Sequence, residues 1–160
     1  MARAGMKRIL FVCLGNICRS PAAEGVFRAK ARERGINLYA DSAGTGGWHV
    51  GDPAHRGTQA VLRRNGITYN GRARQVQPAE LHRYDYVIAM DADNVSDLRR
   101  MDRRGALDGK LHQLLAFAPD GYPRDVPDPY YNGKFDAVYE LVDAGVAGLL
   151  DTIRAEHNLP

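Results

Sequence analysis

The sequence predicts an α/β fold, a parallel sheet covered by helices on both faces. Three observations carry this. Short, β-rich apolar runs alternate with longer segments of helical spacing, the pattern of strands joined by crossover helices. The 160 residues, 44% of them hydrophobic, supply one core and not two. No repeat, low-complexity tract or linker interrupts the alternation, so residues 1–160 read as a single domain.

Ile9-Leu10-Phe11-Val12 reads as a buried first strand, and a loop from Cys13 to Arg19 follows it. Ser20-Pro21 then reads as an N-cap with proline at the first helical position. Ala22, Ala23, Val26, Phe27 and Ala31 continue at helical spacing to a stop at Gly35. Leu38-Tyr39-Ala40 is the second strand. Asp52-Pro53 opens a second helix that runs to about Asn65, with Gly66 as its stop. Tyr86 to Met90 is the third strand, and Asp91 caps a helix through Arg100. Lys110 to Phe117 contains the fourth strand. Residues 118–134, rich in Pro, Gly, Asp and Tyr, read as a long loop. Phe135 to His157 is a final helix with its apolar residues mostly on one face, weakened locally by Gly145 and Gly148. Ligands of such sheets bind outside the carboxyl ends of the strands, where both the Cys13 loop and the 118–134 loop emerge.

Composition narrows the function classes. No run of about 18 apolar residues is present, so no transmembrane helix is expected. The basic opening from Met1 to Arg8 precedes an apolar run too short for a signal-peptide core, which makes the cytoplasm the default location. A net charge of +3 does not by itself imply nucleic acid. Its distribution says more: residues 1–40 carry eight Lys/Arg against two acidic residues, and residues 120–160 carry three against eight. The basic part suits an anionic partner, and the acidic part does not suit a polyanion. Two cysteines, Cys13 and Cys18, are too few for a disulfide scaffold or a four-ligand zinc site, so no metal or cofactor is expected.

The segment Cys13-x-Gly15-Asn16-x-Cys18-Arg19-Ser20-Pro21 lies between a strand and a helix, and that setting defines its chemistry. Backbone N–H groups of such a loop can converge on one point, where the helix dipole adds positive potential. Gly15 allows unusual dihedrals, Asn16 tolerates the left-handed region, and Arg19 offers a planar fork for two phosphate oxygens. Together they make an oxyanion cradle with Cys13 at its entrance. The same groups favour a thiolate, to which the Ser20 hydroxyl can donate a hydrogen bond. A thiolate so placed can attack phosphorus and form a cysteinyl-phosphate. The nucleotide-binding patterns G-x-x-x-x-G-K-[ST] and G-x-G-x-x-G are absent here.

A phosphate ester of an alcohol or phenol leaves poorly unless a carboxylic acid protonates the departing oxygen; the same group can then activate water. Asp120, Asp125 and Asp128 are the candidates. Pro129 holds Asp128 extended, and Tyr130 and Tyr131 can wall a slot for an aromatic ring. Spacing alone does not separate Asp128 from Asp125.

These segments resemble the low-molecular-weight protein tyrosine phosphatases. Val12 to Pro21 matches that family's catalytic loop throughout, and Asp128-Pro129-Tyr130-Tyr131 matches its general-acid motif. Asp41-Ser42-Ala43-Gly44-Thr45, with Trp48-His49, resembles its second strand and specificity loop. The similarity covers nearly the whole chain. It implies a flavodoxin-like three-layer sandwich, with a four-stranded parallel sheet in the order 2-1-3-4. It implies Cys13 as nucleophile, Arg19 as phosphate clamp, and Asp128 rather than Asp125 as acid and base. Gly15, Asn16, Ile17, Cys18 and Ser20 would complete the phosphate loop, with Asn16 and Ser42 holding its shape. Leu14, Trp48, Tyr130 and Tyr131 would line the aryl slot. Cys18 would be a resolving thiol that protects Cys13 from over-oxidation. The implied partners are phosphotyrosine proteins and a cognate tyrosine kinase, with inorganic phosphate as product and neither nucleic acid nor membrane involved. Gly71 lies about where animal members carry a histidine, which points to a bacterial-type member. His55 reads as a surface residue; His49, beside Trp48, reads as exposed and without function or as a ligand contact at the slot's rim.

Three other functions fit less well. Arsenate reductases share the fold and a similar cysteine loop, but thiol-coupled members need further cysteines, and none follows Cys18. A thiol redox module has no use for Arg19 or Asp128. A non-catalytic phosphate-binding domain would not need both Cys13 and Asp128.

Overall fold

The computed structural model describes residues 6–160; residues 1–5, with Arg3 of the basic opening, lie outside the described residues. Strand β1, Arg8–Cys13, is apolar throughout its centre because both of its faces are buried. Ile9, Phe11 and Cys13 enter one core, and Leu10 and Val12 enter the other. Strands β2 (Tyr39–Gly44), β3 (Tyr86–Ala89) and β4 (Leu111–Gln113) complete a parallel sheet in the expected order β2-β1-β3-β4. The chain therefore leaves β1 where the strand order reverses, the usual ligand position in such sheets.

Helices α1 (Arg19–Glu33) and α5 (Phe135–His157) cover the first face. Phe27 of α1 meets Phe11 edge to face, with ring centres 5.5 Å apart, and Val146, Leu149 and Leu150 of α5 join the same core. On the opposite face, Leu98 of α3 (Ala92–Met101) and Leu81 of a 3₁₀ turn, Pro78–Arg83, bury Leu10, Val12 and Val87. Helix α2 (Arg56–Arg64) places Leu62 against Gly25 of α1. No helix among the described residues is long and apolar enough to cross a membrane.

Four details depart from the expectations. The first helix is capped by Cys18, so Ser20 lies inside it, with its hydroxyl turned to Cys13. The second helix starts at Arg56 and not at Asp52-Pro53. His55 Nδ1 accepts the Gly57 N–H at 2.9 Å, and Pro53 bridges to Arg72 instead. The 118–134 segment carries a one-turn helix α4, Pro129–Asn132, capped by Asp128 and closed by Gly133 at φ 70°. Helix α5 runs unbroken through Gly145 and Gly148. A Cβ at 145 would lie 2.7 Å from Leu114 Cγ and one at 148 would lie 1.8 Å from the Phe117 oxygen, so the glycines allow α5 to lie flat on the 3₁₀ turn Leu114–Phe117.

Candidate active site

Five residues turn the chain from the end of β1 into α1. The turn uses one left-handed residue, Asn16 at φ 59°, as its residue type allows, while Gly15 keeps an ordinary φ and provides space. A Cβ on Gly15 would stand 3.1 Å from His49 Cδ2. Asn16 is locked from three sides. Its Nδ2 donates to Ser20 Oγ (2.8 Å) and Ser42 Oγ (3.0 Å), and its Oδ1 accepts the Arg74 N–H (2.9 Å). Ser42 donates onward to Glu24 Oε1 at 2.7 Å, and the Tyr69 hydroxyl donates to the same oxygen at 2.9 Å. Tyr69 also occupies the space beside Gly71, where a Cβ would lie 2.4 Å from its hydroxyl. Gly44 lets β2 approach the loop, since a Cβ there would fall 2.6 Å from the Leu14 oxygen.

Around Cys13 the donors converge. The Asn16 N–H donates to Sγ at 3.3 Å, and Ser20 Oγ lies 3.0 Å from it. Ser20 Oγ already accepts from Asn16, which leaves its own proton for the sulfur. Arg19 is buried and aimed: one guanidinium nitrogen donates to Asp91 Oδ2 (2.5 Å) and to the Val126 oxygen (3.0 Å). The other lies 3.6 Å from Asp128 Oδ2. Burial opposes the Arg19 charge, but Cys13, then Asp91 and Asp128, outweigh it and push its pKa up. The second oxygen of Asp91 accepts the Asn94 N–H at 2.8 Å and caps α3. The sequence revealed that cap but not the link to Arg19.

Cys13, Gly15, Ile17, Cys18 and Arg19 form the floor of a cleft of about 360 Å³, and Leu14, Trp48, His49, Asp128, Tyr130 and Tyr131 form its walls. Asn16 and Ser20 lie beneath, buried. Asp125 turns away: its Oδ1 accepts the Ala92 N–H (3.1 Å) and Gln113 Nε2 (2.8 Å), which ties the long loop to the sheet end. His49 lines the cleft, with its ring centre 6.0 Å from that of Tyr130. His55 is half-buried and stacks on Phe135 at 4.8 Å. His49 thus stands at the rim of the slot, and His55, read as a surface residue, packs between Phe135 and Tyr130. Burial first, then the charges of Cys13 and Asp128, push the Cys18 thiol up to about 12, so it stays protonated beside the nucleophile position.

The chain matches the family described as low molecular weight phosphotyrosine protein phosphatase over residues 8–159. It is 48% identical over 159 residues to low molecular weight protein-tyrosine-phosphatase YfkJ of Bacillus subtilis, covering 96% of this chain and 100% of that one. It is 42% identical over 156 residues to PtpA of Staphylococcus epidermidis, covering 96% and 98%. The crystal structure of YfkJ superposes with a TM-score of 0.91 over 97% of this chain and 99% of that chain. The structure of SP-PTP from Streptococcus pyogenes, 36% identical, does so with a TM-score of 0.80 over 92% and 93%. Every strand and helix from β1 to α5 falls within the matched residues, and so the chain belongs to the low molecular weight protein tyrosine phosphatases and is an enzyme that hydrolyses phosphotyrosine.

Proposed function

We propose that the enzyme cleaves phosphotyrosine in proteins through a cysteinyl-phosphate, using Cys13, Arg19 and Asp128. The Cys13 thiolate attacks phosphorus as the bond to the phenolic oxygen breaks, and Asp128, as the carboxylic acid, gives that oxygen its proton. The resulting carboxylate then takes a proton from water as the water oxygen attacks phosphorus. The S–P bond breaks, the thiolate is restored and inorganic phosphate leaves. Arg19 and the loop N–H groups hold the equatorial oxygens through both steps. The observation that carries this reading is the aim of Arg19. One nitrogen is held by Asp91 and Val126, which directs the rest of the fork into the cleft between Cys13 and Asp128.

Leu14, Trp48, Tyr130 and Tyr131 take the aryl ring in this scheme; when peroxide oxidises Cys13 to a sulfenic acid, the Cys18 sulfur attacks it, water leaves and a disulfide forms. Residues 1–160 act as one catalytic domain in the cytoplasm, on substrates made by a cognate tyrosine kinase. The test is a side-by-side assay, in EDTA, on peptides of one sequence carrying phosphotyrosine or phosphoserine. The phosphotyrosine peptide should be favoured by at least about 100-fold in kcat/KM, because the phenol is the better leaving group and fits the slot. Equal rates would overturn the aryl slot, and a strict requirement for added metal would overturn the mechanism.

A further inference from the structure

We propose that the groove beside the catalytic cleft is a subsite for an acidic residue flanking the phosphotyrosine, held by Arg103 and Arg100. The proposal rests on the phosphotyrosine-protein reading above. A protein substrate cannot enter with its tyrosine alone, because the chain on either side must cross the rim of the cleft, and that rim is not uniform. Leu14 and Trp48 form a wall shared with a second, open groove of about 520 Å³, whose far side is Asp97, Arg100, Met101 and Arg103. Trp48 is 74% exposed and lies on Gly46, where a Cβ would stand 1.8 Å from the indole ring. A peptide leaving the cleft over this ring enters the groove that Arg100 and Arg103 line.

The end of α3 and the turn after it read Arg99-Arg100-Met101-Asp102-Arg103-Arg104, a concentration of positive charge. The acidic neighbours offset it unevenly. Asp97 pairs with Arg100. Asp102 accepts the N–H groups of Ala106 (2.9 Å) and Leu107 (2.8 Å), so its oxygens are spent on the turn. Arg103 is exposed and makes no ion pair among the described residues. Beyond it, a broader groove continues past Arg83 and Arg104. The neighbouring rims are more acidic: Asp91 and Asp93 stand at the start of α3 in a groove that shares Asp97 and Arg100 but not Arg103, and Asp52 stands beside His49. A carboxylate on the substrate chain therefore has one favourable direction to take. The arginine fork can meet it through two parallel hydrogen bonds. Exposed pairs of this kind change affinity and capture by modest factors and are screened by salt.

The experiment compares kcat/KM of the full chain on phosphotyrosine peptides flanked by Glu or by Gln, with p-nitrophenyl phosphate as the substrate that has no flanks. The Glu peptide should be favoured by about three- to tenfold, mainly through KM, at low salt. The advantage should vanish at about 0.5 M salt, where the screening length is only a few ångströms. The double variant Arg100→Gln/Arg103→Gln should lose the advantage while hydrolysing p-nitrophenyl phosphate at the original rate, and Arg103→Glu should turn it into a penalty. Equal rates on the two peptides, or a preference that survives the double substitution, would overturn the subsite. Failure of the unsubstituted enzyme on p-nitrophenyl phosphate would instead overturn the reading on which the subsite rests.

Discussion

The two segments that meet at the cleft are built in opposite ways. In the loop from Cys13 to Ser20, the residues Asn16, Arg19 and Ser20 are no more than 3% exposed, and each has at least two hydrogen-bond partners. The acid-bearing segment is a single exposed helical turn. Tyr130 and Tyr131 are 47% and 84% exposed, and Asp128 accepts one backbone N–H, from Tyr130 at 3.0 Å. Donors for the transferred phosphoryl group act best when fixed before the substrate arrives, since any reorganisation adds to the barrier. The ring and the leaving oxygen differ from substrate to substrate, and a loosely held segment can adjust to them.

Substitutions can break or sharpen this contrast. The largest effect should come from the fixed side. Cys13→Ser should lower turnover by at least about 10⁴-fold while inorganic phosphate still binds, as followed by quenching of Trp48 fluorescence. Loss of phosphate binding along with turnover would mean that the cradle is not preformed. Next, Asp128→Ala should lower kcat by about 10²- to 10⁴-fold on a phenol of high pKa, and by much less on p-nitrophenyl phosphate. Asp125→Ala should cost less than about tenfold, because its carboxylate serves Ala92 and Gln113. The reverse order would move the acid role to Asp125.

A smaller pair of effects tests stiffness directly. Asn16→Ala strands the Arg74 N–H and two hydroxyls, so kcat should fall by about tenfold and Tm by several degrees. Tyr131→Ala should raise KM by less than about tenfold and leave Tm unchanged. If both variants changed only KM, the two segments would not differ in kind.

The smallest expected effect lies behind the loop, at Glu24. Burial pushes this carboxyl up, against the Ser42 hydrogen bond, the charge of Arg28 and the Tyr69 hydrogen bond. The folded chain therefore holds the Glu24 proton more tightly than the unfolded chain, where a glutamate titrates near about 4.3. Its contribution to stability falls as the pH rises from there through the folded-state pKa. The Tm of Glu24→Gln relative to the original protein should rise by about one or two degrees across that window and then level off. A relative Tm that falls with pH would mean that the buried network favours the carboxylate.

The sequence by itself determined β1, β3, the Asp91 cap and the cysteine loop between β1 and α1, whereas the second strand, read over Leu38-Tyr39-Ala40, runs Tyr39–Gly44. These are local properties: an apolar run of four residues, a capping side chain and a motif of nine residues carry their meaning within a few turns of chain. Ser20 was misjudged because residue type signals a cap but not the direction in which the hydroxyl points. Only the tertiary structure decided which groups hold the loop and which carboxylate faces the cleft. Asn16 meets Ser42 and Arg74, and Arg19 meets Asp91, across 26, 58 and 72 residues. Those distances close because the order β2-β1-β3 brings the ends of both neighbouring strands to the end of β1. Asp125 and Asp128 are three residues apart on one loop. Their fates diverge because Ala92 and Gln113 offer hydrogen-bond donors to the first, while the second caps a helical turn that lies over the cysteine.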